Sequence, residues 1–237
     1  MSPGNRGKQA SPPRLVSVHA VDLYETMRCA PTTRRFGSDP VPGETLRRVL
    51  ENARFAPSGG NRQGWRVVAV SDADSRRRLR DLYQPHWRAY MEHTGGAAIL
   101  ADPEHADSKR GRAVKRADDF ADRIHEVPLH LIVLARLGDL AIVDAGLDRP
   151  SIVGGASIYP FVQNILLGLR AEGLGAALTT LLAPAEAEVK ELLAIPDDVV
   201  LAAYVLVGPR DEPWPTRLSR KPVEEFAFSE RYGDPLT

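Results

Sequence analysis

Two hydroxyls and two guanidiniums share the segment TTRRF at residues 32–36, and a second basic group, SRKP, occupies residues 219–222. Such mixtures suit a phosphate dianion, because charge-assisted hydrogen bonds contribute roughly 1.5–3 kcal/mol each. Between them lies APSGGNRQGW, residues 56–65. Pro57 ends a helical pattern there, so Ser58 and the backbone amides after it face outward instead of continuing a helical ladder. Gly59 and Gly60 remove side chains where a flat ligand would approach the backbone. Asn61 and Gln63 both donate and accept, which suits a heterocycle with neighbouring N–H and C=O edges. Alone, each basic segment reads better as a solvated arginine patch, and the loop reads equally well as a glycine cap with surface amides. Together they suggest a phosphate tail attached to a polar ring.

Other chemistries lack their residues. His86 and His93 are seven apart, and neither H-E-x-x-H nor C-x-x-C occurs, so no zinc-type spacing is present. No G-x-S-x-G marks a hydrolase elbow, and no G-x-G-x-x-G follows a strand pattern. Asp118 and Asp122 stand one helical turn apart, a spacing that suits a solvated face better than a cation. Cys29 is the only cysteine, which excludes an internal disulfide, fits a reducing cytoplasm and reads as a small, half-buried side chain. With no nucleophile, metal set or acid–base pair announced, any catalysis would rest on a cofactor.

The elements that must position these groups fit one domain of 237 residues. Acidic and basic residues balance at 31 each, against nucleic acid or an anionic membrane as the main partner, although only five of the basic residues are Lys. Residues 1–14 read as a flexible polar tail rather than a signal peptide. Residues 151–169 carry no formal charge, yet Pro160, Gln163, Asn164 and three glycines favour a buried helix over a membrane span. Helical patterns cover Val16–Met27 and Glu44–Ala56, the second with Leu46, Val49, Leu50, Ala53 and Phe55 on one spacing. A strand at 65–71 leads to a helix started by Asp72 and Asp74. The stretch from Pro85 to Ile124 is irregular and polar, with helical pieces at 87–92 and 109–124. Strand patterns at 128–137, 175–180 and 199–208 alternate with helices within 151–172 and 184–193, so helices layer around one sheet.

The order TTRRF, APSGGNRQGW, GLGAALTT, SRKPVEEF resembles the FMN-dependent nitroreductase-like proteins. Their chains run R-R-S-x-R-x-F, A-P-S-x-x-N-x-Q-P-W, a helix bearing Gln and Asn, a G-L-G opening a strand, and R-K-P near the C-terminus. The likeness spans nearly all of residues 20–226. It implies an α+β fold, a three-layer α-β-α sandwich around a central mixed sheet, in a homodimer with flavin at the subunit interface. It further implies a single domain over 15–237 and a segment at 209–237 that wraps the partner; residues 83–126 are a candidate lid, in which Tyr83, Trp87, Tyr90 and Phe120 read equally well as aromatic contacts to the ligand or as core packing. Carried over by position, Thr32 and Arg34 fall on the phosphate-side motif, and Pro57, Ser58, Asn61 and Gln63 on the flavin-contacting loop. Leu178, Thr179 and Thr180 fall beside the ring, and Arg220 on the C-terminal arginine. The leading arginine pair falls on Ala30 and Pro31, leaving Arg28 as a substitute, and Gly64 stands where the motif has proline. Members of a dehalogenating branch carry threonine at the position of Leu178, where its hydroxyl is tied to one-electron chemistry, so Leu178 favours hydride transfer. The implied function is ping-pong transfer from NADH or NADPH through FMN to a nitroaromatic, quinone or other electron-poor small molecule. Reductive dehalogenation of halophenols and non-enzymatic flavin binding or storage are the alternatives.

Overall fold

The computed structural model describes residues 22–236. The N-terminal tail and the first part of the helix expected from Val16 lie outside the described residues. In chain order the helices and strands are α1 (Leu23–Arg28), α2 (Gly43–Ala53), β1 (Trp65–Val70), α3 (Ala73–His93), α4 (Gly96–Ala101), α5 (Pro103–Ala106), α6 (Lys109–Asp122), β2 (Leu129–Arg136), α7 (Tyr159–Ala171), β3 (Leu174–Thr179), α8 (Glu186–Leu193) and β4 (Val199–Pro209).

The sheet runs β1-β2-β4-β3. All three pairings are antiparallel; among the described residues the parallel component expected of a mixed sheet is limited to one bridge, Thr32 to Ala176, on the outer edge of β3. Strand alternation splits the core in two. Leu131, Val133 and Ala135 of β2, with Ala203, Val205 and Val207 of β4, face α2 and α7. Ile132, Leu134, Tyr204 and Leu206 face α3, α6 and α8. Helices on both faces bury β2 almost completely, which is why it reads as an unbroken apolar run. The α-β-α layering is therefore present. The uncharged run after Ser151 becomes α7, whose Phe161, Val162, Ile165 and Leu169 are buried and whose Phe161 stacks on Trp65 at 4.8 Å. No helix among the described residues is long and apolar enough to cross a membrane.

Three local expectations need correction. Helix α3 does not stop at Pro85 but runs through it to His93. Proline removes one helical donor, yet Leu79, Tyr83, Trp87 and Met91 recur every four residues, all buried, on either side of it. Packing of that stripe decides the local structure. Asp118 and Asp122 of α6 are the second case. Asp122 is exposed, as a solvated face would have it, and Asp118 half-buried, but both carboxylates are engaged: Trp87 Nε1 donates to Asp118 (2.7 Å) and Gln84 Nε2 to Asp122 (3.0 Å), so the pair fastens α6 to α3. The third is Phe55, expected on the apolar face of α2, which lies beyond its end and is 76% exposed.

Candidate functional site

The site is built along the free edge of β3. The Thr33 N–H donates to the Ala176 carbonyl at 2.8 Å, and Thr33 Oγ1 accepts from Arg210 Nη1 at 2.9 Å. Thr33 is fully buried. Gly175 makes this approach sterically open, since a Cβ there would sit 2.8 Å from the Thr33 side chain. With Thr33 turned inward, extended geometry turns its neighbour Arg34 outward, and Arg34 is exposed. Further along, Gly37 N–H donates to Pro209 O and Asp211 N–H to Arg35 O, so the whole TTRRF segment is moored to the sheet.

Two cavities open on either side of this ridge. The first, about 420 Å³, is lined by Met27, Ala30, Pro31, Thr32, Gln163, Leu166, Arg170, Leu174, Ala176, Leu178, Trp214 and Arg220. Two guanidiniums and no carboxylate border it, which makes it suited to an anion. The second, about 280 Å³, is lined by Thr32, Arg34, Ala117 and Ala177, by the aromatic residues Tyr83, Trp87, Tyr90 and Phe120, and by Leu178 to Leu181. Thr32 and Leu178 border both. An elongated molecule with an anionic end and a planar end thus finds matching surroundings along one edge of the sheet, and the residues present fit a flavin mononucleotide.

In the second cavity the Tyr83 hydroxyl lies 3.5 Å from Thr179 Oγ1, which itself accepts from the Leu181 N–H at 3.2 Å. Burial pushes the Tyr83 phenol above its ordinary pKa, against smaller opposing effects of Thr179 and Arg34, so it stands neutral as a donor. Among the described residues Arg34 makes no ion pair, which leaves its guanidinium free for a ligand.

The amide loop is assembled elsewhere. Gly60, Asn61 and Gln63 all adopt left-handed φ (60°, 53° and 51°), a conformation that Gly and Asn tolerate and that is uncommon for Gln. Internal bonds hold them: Gln63 N–H to Ser58 Oγ (3.0 Å) and Gln63 Nε2 to Asn61 Oδ1 (3.1 Å). Gly59 N–H donates to Ser157 Oγ (3.0 Å), docking the loop on the turn before α7. Pro57, Ser58, Asn61 and Gln63 line neither cavity. The close packing at Gly64 explains the absent proline, for a Cβ there would meet Asp139 Cβ at 2.8 Å.

Of the expected residues, Thr32, Leu178 and Arg220 meet at the first cavity, and Thr32, Arg34, Leu178, Thr179 and Thr180 at the second. Arg28 joins neither; its guanidinium lies 5.9 Å from the Tyr24 ring. Arg170 and Trp214 enter the first cavity unforeseen. The one available sign was that Arg170 is the first charge after the uncharged run beginning at Ser151.

The nitroreductase family model matches residues 31–208. An NADH dehydrogenase of Thermus thermophilus is 31% identical over 197 residues, covering 82% of this chain and 89% of that protein. A 5,6-dimethylbenzimidazole synthase of Rhodospirillum rubrum is 29% identical over 192 residues, covering 76% and 78%. Among solved structures, iodotyrosine deiodinase bound to FMN and 3-iodo-L-tyrosine superposes with a TM-score of 0.63 at 23% identity, covering 90% of this chain and 99% of that one. At that identity the likeness is one of fold.

Proposed function

This chain belongs to the nitroreductase family, and we propose that it is an FMN-dependent oxidoreductase that passes electrons from NADH or NADPH to a small electron-poor acceptor such as a nitroaromatic or a quinone. The observation that carries the reading is the pair of cavities joined at Thr32 and Leu178, one whose only charged groups are two guanidiniums and the other walled by aromatic rings. Bound FMN would supply the two-electron carrier for hydride.

The chain's own residues bind, orient and exclude water. Arg220 and Thr32 hold the phosphate end, whereas Arg34, expected on the phosphate side, lines the second cavity and serves the polar edge of the ring instead. The backbone of Leu178–Thr180 supports the ring's reactive face. Tyr83 and Trp87, both buried, form a fixed wall, while the half-exposed Tyr90 faces the mouth. Residues 83–126 thereby cover the acceptor position. Leu178 presents no hydroxyl there, which favours two-electron over one-electron transfer.

A second copy of the chain completes the site. The loop 57–63 lines neither cavity, yet it is the segment whose motif falls on the flavin, so the partner's loop supplies these contacts. Large apolar side chains near this loop and along the C-terminal segment support such an interface: Phe55 (76% exposed), Ile152 (76%), Phe226 (62%) and Tyr232 (93%). The segment 209–237 wraps the partner.

The test begins with anaerobic addition of NADH or NADPH to the FMN-loaded protein, followed by nitrofuran, quinone or iodotyrosine as acceptor. Bleaching by a nicotinamide and reoxidation by nitrofuran or quinone is expected. Flavin that neither nicotinamide bleaches would point to a binding or storage role. Turnover of iodotyrosine in preference to the others would move the reading to dehalogenation.

A further inference from the structure

Arg170, in the last turn of α7, is held at three points on its guanidinium plane. Nε donates to the Cys29 carbonyl (3.2 Å), Nη2 contacts Cys29 Sγ (3.2 Å), and the guanidinium carbon lies 4.0 Å from the centre of the Trp214 ring. Stacking and hydrogen bonding together leave an arginine little freedom. Nη1 has no protein partner among the described residues.

Neighbouring charges do not neutralise it. Glu172, two residues on, is engaged by Arg48 Nε (3.2 Å) and Nη2 (2.8 Å). Arg210, whose guanidinium lies 5.1 Å from the same Trp214 ring, already binds Glu212 (3.1 Å) and Thr33. Arg170 is thus a fixed cation on the wall of the cavity that Thr32 and Arg220 also line, with Ala30 and Pro31 at the same wall. Those two positions are where the sequence motif would have placed arginines.

We infer that Arg170 is a phosphate-binding residue of this chain, presenting Nη1 to the anionic end of FMN beside Arg220 and replacing, from a different element, the guanidinium missing at position 30. Cys29 and Trp214 act as its positioning residues. The inference rests on the FMN reading above. A purely structural Arg170, clamping Cys29 to Trp214, would treat FMN and riboflavin alike, since the two ligands differ only by the phosphate.

The decisive experiment titrates FMN and riboflavin separately into the wild type, Arg170→Ala, Arg170→Lys and Arg47→Ala, reading quenching of flavin fluorescence. Loss of one charge-assisted contact predicts that Arg170→Ala weakens FMN by about 10- to 100-fold and riboflavin by less than about threefold. Arg170→Lys, which keeps the charge but not the planar fork, should fall between and retain the fold if the alanine variant does not. Arg47→Ala, on an exposed face away from the cavity, should match the wild type. Equal weakening of both flavins, or unchanged FMN affinity in both Arg170 variants, would overturn the assignment while leaving the FMN reading intact. A wild type that binds neither flavin would overturn both.

Discussion

β4 and the segment after it are continuous in sequence and opposite in character. Val205, Leu206 and Val207 are fully buried, with each face of the strand covered by helices. Beyond Arg210 the chain keeps few internal contacts: Leu218 N–H reaches Arg28 O, Trp214 stacks on Arg170, and Phe228 sits 4.7 Å from Tyr232. Phe226 and Tyr232 nonetheless stay largely in solvent. The contrast separates two kinds of completeness. The sheet satisfies itself within one chain, whereas the C-terminal segment and the amide loop are the parts that the proposed dimer would complete.

The core side of that contrast breaks most strongly with acid. His130 Nε2 sits 2.9 Å from the Ile124 carbonyl, so that nitrogen carries the proton, and Nδ1 accepts from the Tyr204 hydroxyl at 2.6 Å. Burial above all holds His130 well below its ordinary value, at about 3. Because the folded value lies below the unfolded one, the unfolded chain binds the extra proton. The stabilisation is complete above about pH 6.5 and is lost progressively as pH falls toward about 3, with a slope of up to about 1.4 kcal/mol per pH unit. Urea titrations across this range should show that slope in the wild type and a flatter one in His130→Asn.

A smaller loss is expected at the seam between core and site. Gly175→Val forces a side chain against Thr33 and should cost about 1–3 kcal/mol by urea unfolding, with flavin affinity reduced through displacement of Thr32. An unchanged stability would mean that the TTRRF segment is not moored as described. On the other side of the contrast, a chain ending at Pro213 keeps the sheet but lacks Trp214 and Arg220. Its FMN affinity should drop by about 10- to 100-fold, with unfolding still cooperative. If the truncated chain bound FMN as well as the full one, the C-terminal segment would have no part in the site. The smallest effect belongs to Arg47→Ala, which removes an exposed 3.8 Å pair with Glu51 and should change stability by less than about 0.5 kcal/mol.

Legibility from sequence divides along the same line. Strands β1 to β4 and helix α7 are legible because burial on one or both faces writes itself as apolar runs. Pro85 misleads, since local propensity argues for a break while the stripe Leu79–Tyr83–Trp87–Met91, visible only as a period of four, overrides it. Phe55 misleads in the opposite direction, continuing an apolar spacing past the end of its helix. At the candidate site, positions next to one another in a motif were traceable, and Thr32, Arg34 and Leu178–Thr180 do gather along one sheet edge. Arg170 was not, because its meaning comes from Cys29 and Trp214, 141 residues before it in one case and on a different element in the other. Asp118 and Asp122 show the same limit: their spacing suits a solvated face or a cation, and only the neighbouring helix reveals two hydrogen-bond acceptors.

An FMN site at the β3 edge that a second copy completes can be put to the test by sedimentation velocity of the FMN-loaded protein, followed at the flavin's visible absorbance. The expected result is that the colour sediments with a single species of twice the 26.0 kDa chain mass, at about one flavin per chain. Flavin left behind as a free small molecule would contradict the cofactor assignment, and flavin moving with a species of one chain mass would contradict its completion by a partner.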